Sequence, residues 1–202
     1  MAGDIVEVHS FKLSNESPEM SNLHVHSLAP LFKTKIAERV TSLAWTAHGS
    51  DSEERKYGML VGGLANGNIA FWSPVENLKN MTEDSLNNYR CLMNRDIGEQ
   101  SPINCLSVNP HKKNIIVSGG STVLLHNIDK GCKNIESFSP AQMTADNLTV
   151  TSIGWNWKVP HIFASATDNG VANIWDVKNK KIIMSLADQN YSLDMFSADT
   201  LQ

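Results

Sequence analysis

Val150-Thr151-Ser152-Ile153-Gly154-Trp155 and Val40-Thr41-Ser42-Leu43-Ala44-Trp45 are nearly the same string, placed far apart in one chain of 202 residues. The residues downstream of each string match as well. The first leads to His161-Ile162-Phe163-Ala164-Ser165-Ala166, the turn pair Asn169-Gly170 and then Val171-Ala172-Asn173-Ile174-Trp175-Asp176. The second leads to Met59-Leu60-Val61-Gly62-Gly63-Leu64, the pair Asn66-Gly67 and then Ile69-Ala70-Phe71-Trp72. A third copy lies between them: Ile103 to Val108, Asn114 to Gly120 and Val123 to Ile128.

Each copy reads as β structure. The openings place small polar residues between apolar ones, the pattern of a half-buried strand. The second pieces are short apolar runs that end on Gly or Ala, as a strand covered on both faces requires. Asn-Gly pairs tolerate positive φ and close tight turns. A fourth, outer strand is expected after each: Tyr89 to Met93, Asn134 to Phe138, and Lys181 to Leu186. Four antiparallel strands recurring at a spacing of about 40 to 60 residues mark the blade of a WD-repeat β-propeller.

Upstream, Ile5 to Leu13 and Leu23 to Leu28 alternate in the same way and read as the inner-middle and outer strands of a preceding blade. The predicted fold is therefore all-β, a partial WD-repeat propeller of about three and a half four-stranded blades. The expected divisions are 1–30 for the outer half of a preceding blade, 31–98 for the first complete blade, 99–140 for the second, 141–188 for the third and 189–202 for an irregular tail. Polar stretches at His48 to Lys56 and Val75 to Asn88 read as surface loops inserted in the first complete blade.

Within this frame the residues expected to hold the blades together are Trp45, Trp72, Trp155, Ser165, Trp175 and Asp176. Trp175-Asp176 is the dipeptide that names the repeat. Its indole packs between neighbouring blades and its N–H needs a buried partner, for which Ser165 is placed. The network reads as incomplete. No Gly-His pair precedes any first strand, and Asn66 and Asn169 stand where a turn aspartate is usual. Gly62-Gly63 and Gly119-Gly120 end strands, where close backbone packing explains them.

Composition narrows the function classes. The chain is 41% hydrophobic and 19% charged with a formal net charge of −4, ordinary for a globular protein and no reason to expect nucleic acid. The short runs Lys33-Thr34-Lys35 and Lys178-Asn179-Lys180-Lys181 read as solvated charges near turns. Three cysteines, Cys91, Cys105 and Cys132, with no C-x-x-C pair, point away from a disulfide framework or zinc site and towards a reducing compartment. Met1 to Ser10 lacks the form of a signal peptide, and no apolar run is long enough to span a bilayer, so the protein reads as cytosolic.

Candidate chemistry is sparse. Of seven histidines, His24 and His26 are two apart on a presumed strand, yet no carboxylate or cysteine nearby completes a metal site. No nucleophile elbow, phosphate loop, H-E-x-x-H or dinucleotide fingerprint is present. Ser-Pro pairs at Ser17, Ser73, Ser101 and Ser139 are read as strand breakers ahead of phosphorylation sites. The expectation is a protein that is not an enzyme and uses no cofactor and no metal. Its partner-binding residues are not legible in the sequence.

Two segments are more specific than the generic repeat. Gly62-Gly63-x-x-Asn66-Gly67-Asn68-Ile69, with an aromatic and Ser73-Pro74 after it, resembles the first complete blade of the larger subunit of the COPII outer coat, the Sec-thirty-one family of transport proteins. Trp155-Asn156-x-x-Val159-x-His161-Ile162-Phe163-Ala164-Ser165-Ala166 resembles that family's third blade, and the likeness runs from about Ile5 to Asp188.

The resemblance implies a structural scaffold of the COPII coat in endoplasmic reticulum to Golgi transport, acting by protein–protein contacts. The family's propeller lies at or near the cage vertices. An added blade docks the smaller propeller subunit of the outer coat, a helical solenoid forms the edges, and a Pro-rich segment meets the inner coat and its small GTPase. The implied partners are other coat subunits, chiefly that smaller propeller subunit, with no nucleic acid and no direct membrane insertion. The implied location is cytoplasmic, peripheral at endoplasmic reticulum exit sites and on COPII vesicles.

The alternative is another WD-repeat adaptor, such as a substrate receptor of a ubiquitin ligase. Those receptors often carry Trp-Asp-x-Arg, where this chain has Trp175-Asp176-Val177-Lys178, and lysine cannot make the bidentate arginine contact. The remaining blades, solenoid and Pro-rich segment of the family are not seen in this sequence. The isolated chain is therefore expected to be marginally stable and to associate with itself or with chaperones. It is expected not to build a cage, recruit the smaller subunit or stimulate GTP hydrolysis.

Overall fold

The computed structural model describes residues 4–9, 32–52, 55–73, 91–97, 99, 101–129, 134–139 and 148–187. The described elements are all strands, and they form four antiparallel sheets. The first sheet has two strands, β1 (Asp4–Val8) and β2 (Phe32–Ile36). The second runs β3 (Val40–Thr46), β4 (Met59–Leu64), β5 (Ile69–Trp72) and β6 (Cys91–Arg95). The third runs β7 (Cys105–Val108), β8 (Ile115–Gly119), β9 (Val123–Ile128) and β10 (Ile135–Phe138). The fourth runs β11 (Val150–Trp155), β12 (Ile162–Thr167), β13 (Val171–Asp176) and β14 (Lys181–Ala187). Each is a meander in which neighbours in sequence are neighbours in the sheet, the blade expected of a propeller.

The strand period of two explains the core. Along β4, Met59 and Val61 face the third sheet and meet Ile103, Ile116 and Ile128, together with Ile69 and Phe71 of β5. Leu60 and Leu64 face the opposite way and join Val6, Ile36 and Trp72. Every residue of β4 is therefore buried. A third cluster joins Val117, Val123 and Leu125 of the third sheet to Val150, Trp155, Phe163 and Trp175 of the fourth. The core is thus three interfaces between successive sheets. Among the described residues no strand covers the far side of the fourth sheet, and Ile183, Met184 and Leu186 of β14 are each about half exposed.

The repeated opening string has a geometric meaning. β3 shifts register between Val40 and Ser42, and β11 shifts between Val150 and Ser152. A strand without the extra residue would send Val40 and Trp45, five positions apart, to opposite faces. The bulge at Thr41 or Thr151 restores a common face. The displaced threonine then binds backbone. Thr41 Oγ1 lies 2.9 Å from the Gly63 carbonyl and 2.6 Å from that of Ile103 in the next sheet, while Thr151 Oγ1 donates to Ala166 O at 3.2 Å.

One sequence expectation is revised. The strand paired with β1 is Phe32–Ile36, so those residues belong with the first sheet and not with a blade that begins at residue 31. Leu23 to Leu28, expected to be that strand, and the tail 189–202 lie outside the described residues. The lysines of the Lys33-Thr34-Lys35 run are exposed and lie just before the bend at Ala37-Glu38, as expected, but the run itself is strand. It alternates along β2, with Thr34 buried and Lys33 bound across the pair to Glu7 at 2.7 Å.

Glycine sets how closely sheets approach. A Cβ on Gly62 would lie 2.5 Å from the Trp72 ring, and one on Gly63 would lie 2.5 Å from Ile103. Gly154, on the opening strand β11 of the fourth sheet, has no neighbouring atom within 4 Å of such a Cβ. Gly62→Ala is therefore predicted to destabilise the chain by about 2 kcal/mol through overpacking, while Gly154→Ala stays within about 0.5 kcal/mol of the parent. Denaturant unfolding of the two variants side by side checks this, and equal losses would contradict it.

Candidate functional site

The six blade positions singled out in the sequence occupy three different environments. In the fourth sheet Trp175 is fully buried, and its indole Nε1 donates to Ser165 Oγ at 2.8 Å. Phe163 stacks on it, with centroids 5.7 Å apart and an interplanar angle of 7°, and Trp155 tilts onto Phe163 at 5.2 Å. Trp155 is 7% exposed and donates from Nε1 to Ser107 O of β7, at 3.1 Å. The three aromatics thus form a row across β11, β12 and β13 of the fourth sheet, packed against Val117, Val123 and Leu125 of the third. Asp176 works outside this row. Its carboxylate accepts from Asn179 N at 3.1 Å and Asn179 Nδ2 at 2.7 Å, which closes the β13–β14 turn. The backbone donor of Asn179 leads the interactions that hold this carboxyl below its ordinary value.

Trp72 is likewise buried at 1% exposure. Trp45 corrects the sequence expectation of a largely buried ring: it is 46% exposed, with Leu43 beside it at 52%. The contrast with Trp155 supplies the reason. Trp155 is covered by β7 and β8, the inner strands of the sheet before it. The sheet before Trp45 has only β1 and β2 among the described residues, paired as outer strands, so no described strand covers the equivalent face. Its Nε1 turns instead to Tyr57 O at 2.6 Å, within the β3–β4 connection.

Two polar groups escaped the sequence reading. His126 on β9 stands where Trp175 stands on β13, since Ser118 pairs with Leu124 as Ser165 pairs with Asn173. Its ring is fully buried between Ser118 Oγ, 2.7 Å from Nε2, and Ser137 Oγ, 2.8 Å from Nδ1. The segment Val123-Leu-Leu-His126-Asn127-Ile128 carried the signal, because it aligns with the strand that bears Trp175-Asp176. The second group is Glu99. One carboxylate oxygen accepts from Ser101 N, Ser101 Oγ and Ser121 Oγ, and the other accepts from Thr122 N and Thr122 Oγ. Burial alone would raise its pKa. The hydrogen bonds, led by that of Ser121, outweigh burial and hold it below the ordinary glutamate value.

Glu99 therefore ties the segment before β7 to the β8–β9 turn. The network expected to be incomplete is differently composed here, with the acid on the entering segment and its donors in the turn. Asn66 accepts from Asn68 N, and Asn169 accepts from Val171 N and Thr167 Oγ1, each within its own turn. His24 and His26 lie outside the described residues, and among the described residues no three His, Cys, Asp or Glu side chains cluster as a metal would need.

The arrangement positions sheets and has a low content of reactive groups. A family model described as the LRRK2 beta propeller matches residues 22–194. The chain belongs to this β-propeller family. Among curated relatives, Protein transport protein SEC31 of Dictyostelium discoideum is 26% identical over 189 residues, which cover 92% of this chain and 13% of that protein. Protein transport protein Sec31A of Gallus gallus is 26% identical over 186 residues, covering 92% of this chain and 14% of that protein. The chain thus spans about an eighth of the length of these relatives. A solved structure titled "COPII on membranes, outer coat vertex" superposes with a TM-score of 0.62 at 23% identity, covering 79% of this chain and 39% of that one. At that identity the superposition speaks for the fold. The likeness to the larger COPII outer-coat subunit read from the sequence is thus a relationship to SEC31 proteins.

Burial holds the His126 ring neutral and lowers its pKa from 6.5 to about 4. The unfolded chain therefore binds a proton that the folded chain refuses between those values. Stability conferred by the neutral ring is complete above pH 6.5 and is lost as pH falls towards 4, by about 3 kcal/mol over the window. Unfolding midpoints measured across that window check this. His126→Phe is predicted to flatten the dependence, and an unchanged slope in that variant would contradict the assignment.

Proposed function

We propose that this chain is a structural scaffold element of the COPII vesicle outer coat, acting in endoplasmic reticulum to Golgi transport through protein–protein contacts and not through catalysis. The observation that carries the reading is the relationship to SEC31 proteins over 92% of the chain. The internal design agrees with it. The aromatics of the fourth sheet pack on the third, while the buried Ser118–His126–Ser137 chain and the Glu99 tie brace the third sheet internally, and together they make a stiff body, as a coat that transmits force needs. Its proposed partners are other coat subunits, chiefly the smaller propeller subunit. No nucleic acid, cofactor or membrane insertion enters the proposal. The proposed location is cytoplasmic, peripheral at endoplasmic reticulum exit sites and on COPII vesicles.

The ubiquitin-ligase adaptor reading is not favoured by these relatives. Lys178 stands exposed in the β13–β14 turn, where that reading would need an arginine fork. The divisions proposed from sequence remain useful as units for truncation, with the first moved to include Phe32–Ile36.

The test is fractionation of cells that make this protein, tracked with antibodies against the chain. The native protein is predicted to co-sediment with COPII-coated vesicles and to co-purify with the smaller propeller subunit. Co-purification with a ubiquitin ligase, with none on vesicles, would overturn the proposal.

A further inference from the structure

A sheet edge offers a row of backbone N–H and C=O groups with which another strand can pair, and proteins blunt such edges with bulges, lysine, proline or short strands. The edge strands of the four described sheets are β1, β2, β3, β6, β7, β10, β11 and β14. The ladders of β3, β6, β11 and β14 each contain a register shift. β7 and β10 are four residues long, and Pro110 and Pro140 lie just beyond their ends. β2 carries Lys33 and Lys35. β1 has none of these devices. It pairs with β2 from Asp4 to Val8 without a shift, and its Glu7 is bound by Lys33 at 2.7 Å. Among the described residues no strand pairs with its other edge.

That edge borders a cleft of about 500 Å³, walled by Ile5, Val6 and Glu7 of β1 and by Val40 to Leu43 of β3. The repeats show what stands in this place elsewhere. β11 packs on β7 and β8, the first two strands of the sheet before it. Under that cover Ile153 is half-buried and Trp155 is largely buried. At the same places in β3, Leu43 and Trp45 are each about half exposed, and so is Ile5 across the cleft. The difference is two strands. The cleft lies between β1 and β3, where the first two strands of a complete sheet would stand, and among the described residues nothing fills it.

We propose that this cleft takes a two-stranded hairpin from a protein partner. Its second strand pairs antiparallel with the open edge of β1, and its first strand lies in front of β3, over Leu43 and Trp45. The direction follows from the complete sheets, where second and third strands are antiparallel in every case. Backbone hydrogen bonds along β1 supply affinity, and alternate side chains supply selectivity. Towards β3 those side chains are small or β-branched, as Cys105 and Val117 are where β7 and β8 face the fourth sheet. A bulkier one would meet the Trp45 ring, which its bond to Tyr57 O holds in place. The hairpin's other face is polar, because it continues the exposed face on which Ile5 pairs with Lys35 and Glu7 with Lys33. A second copy cannot supply the hairpin from its own β1–β2 pair, since Val6 and Ile36 of that pair are already buried against its second sheet. The inference deepens the scaffold reading, and rests on it only in taking the occupant to be a protein.

The test is selection, on the 202-residue chain, of a phage-displayed library of two-stranded hairpins with randomised strands and a fixed turn. Enriched hairpins are expected to alternate small or β-branched residues with polar ones. A selected hairpin is expected to slow amide exchange in β1 at least tenfold and to leave β10 and β14 unchanged. It is also expected to shift tryptophan emission to the blue, and Trp45→Phe to abolish that shift. Leu43→Lys is expected to weaken binding at least tenfold. Leu43 is about half exposed, so the unfolding midpoint of the unbound variant should not move, and an unmoved midpoint separates lost binding from lost fold. The proposal is overturned by any of four results: no enrichment, protection gained at another edge in place of β1, equal binding by Leu43→Lys, or an unbound chain that is a dimer with β1 already protected. Coat co-fractionation can succeed or fail independently of all of them.

Discussion

A β-sheet whose two faces are both apolar is stable only where another sheet covers each face, and the rest of this molecule is shaped by that requirement. The described core has no centre. It is three separate clusters, each lying between one sheet and the next. Burying an aromatic or large aliphatic side chain is worth about 1.5–3 kcal/mol, so the interfaces outweigh any single ladder within a sheet. The second and third sheets are sandwiched, and β4 and most of β8 are buried on both sides. Among the described residues the fourth is covered on one side only, and the exposed Ile183, Met184 and Leu186 record it.

Three sheets solve the same packing problem with different residues. On the second and third strands the fourth sheet pairs Trp175 with Ser165, the third pairs His126 with Ser118, and the second sets Trp72 against Gly62. A large ring demands a small or hydrogen-bonding neighbour on the adjacent strand. Where the neighbour donates or accepts, the ring's nitrogen is satisfied. Where it is glycine, the indole fills the space that a side chain would have taken. The repeat therefore keeps a ring set against a small neighbour on the adjacent strand, and not residue identity.

Most of the fold was legible because period and turn chemistry are local. The two near-identical opening strings, the Asn-Gly turns and the alternating runs mark β3, β4, β5, β11, β12 and β13 directly. The parts that were not legible depend on neighbours. Trp45 and Trp155 occupy the same place in their repeats, and only the strands of the preceding sheet decide which is buried. The partner of β1 was missed because the lysines of Phe32–Ile36 look like a solvated run, while their alternation with Thr34 and Ile36 is a strand signal. Glu99 was invisible because its donors, Ser121 and Thr122, come from another turn of the chain.

A stack of sheets coupled through their faces, and pinned by hydrogen bonds such as Thr41 Oγ1 to Ile103 O and Trp155 Nε1 to Ser107 O, makes a stiff unit, and this connects the fold to the proposed coat role. Its central claim is that stability resides between sheets and falls towards the uncovered faces. Amide hydrogen exchange resolved by strand tests this most directly. The account predicts the slowest exchange in β4 and β8, intermediate exchange in β12 and β13, and the fastest in β14 and β1. Equal protection of β14 and β4 would contradict it, because a strand left largely uncovered would then be as secure as one covered on both faces.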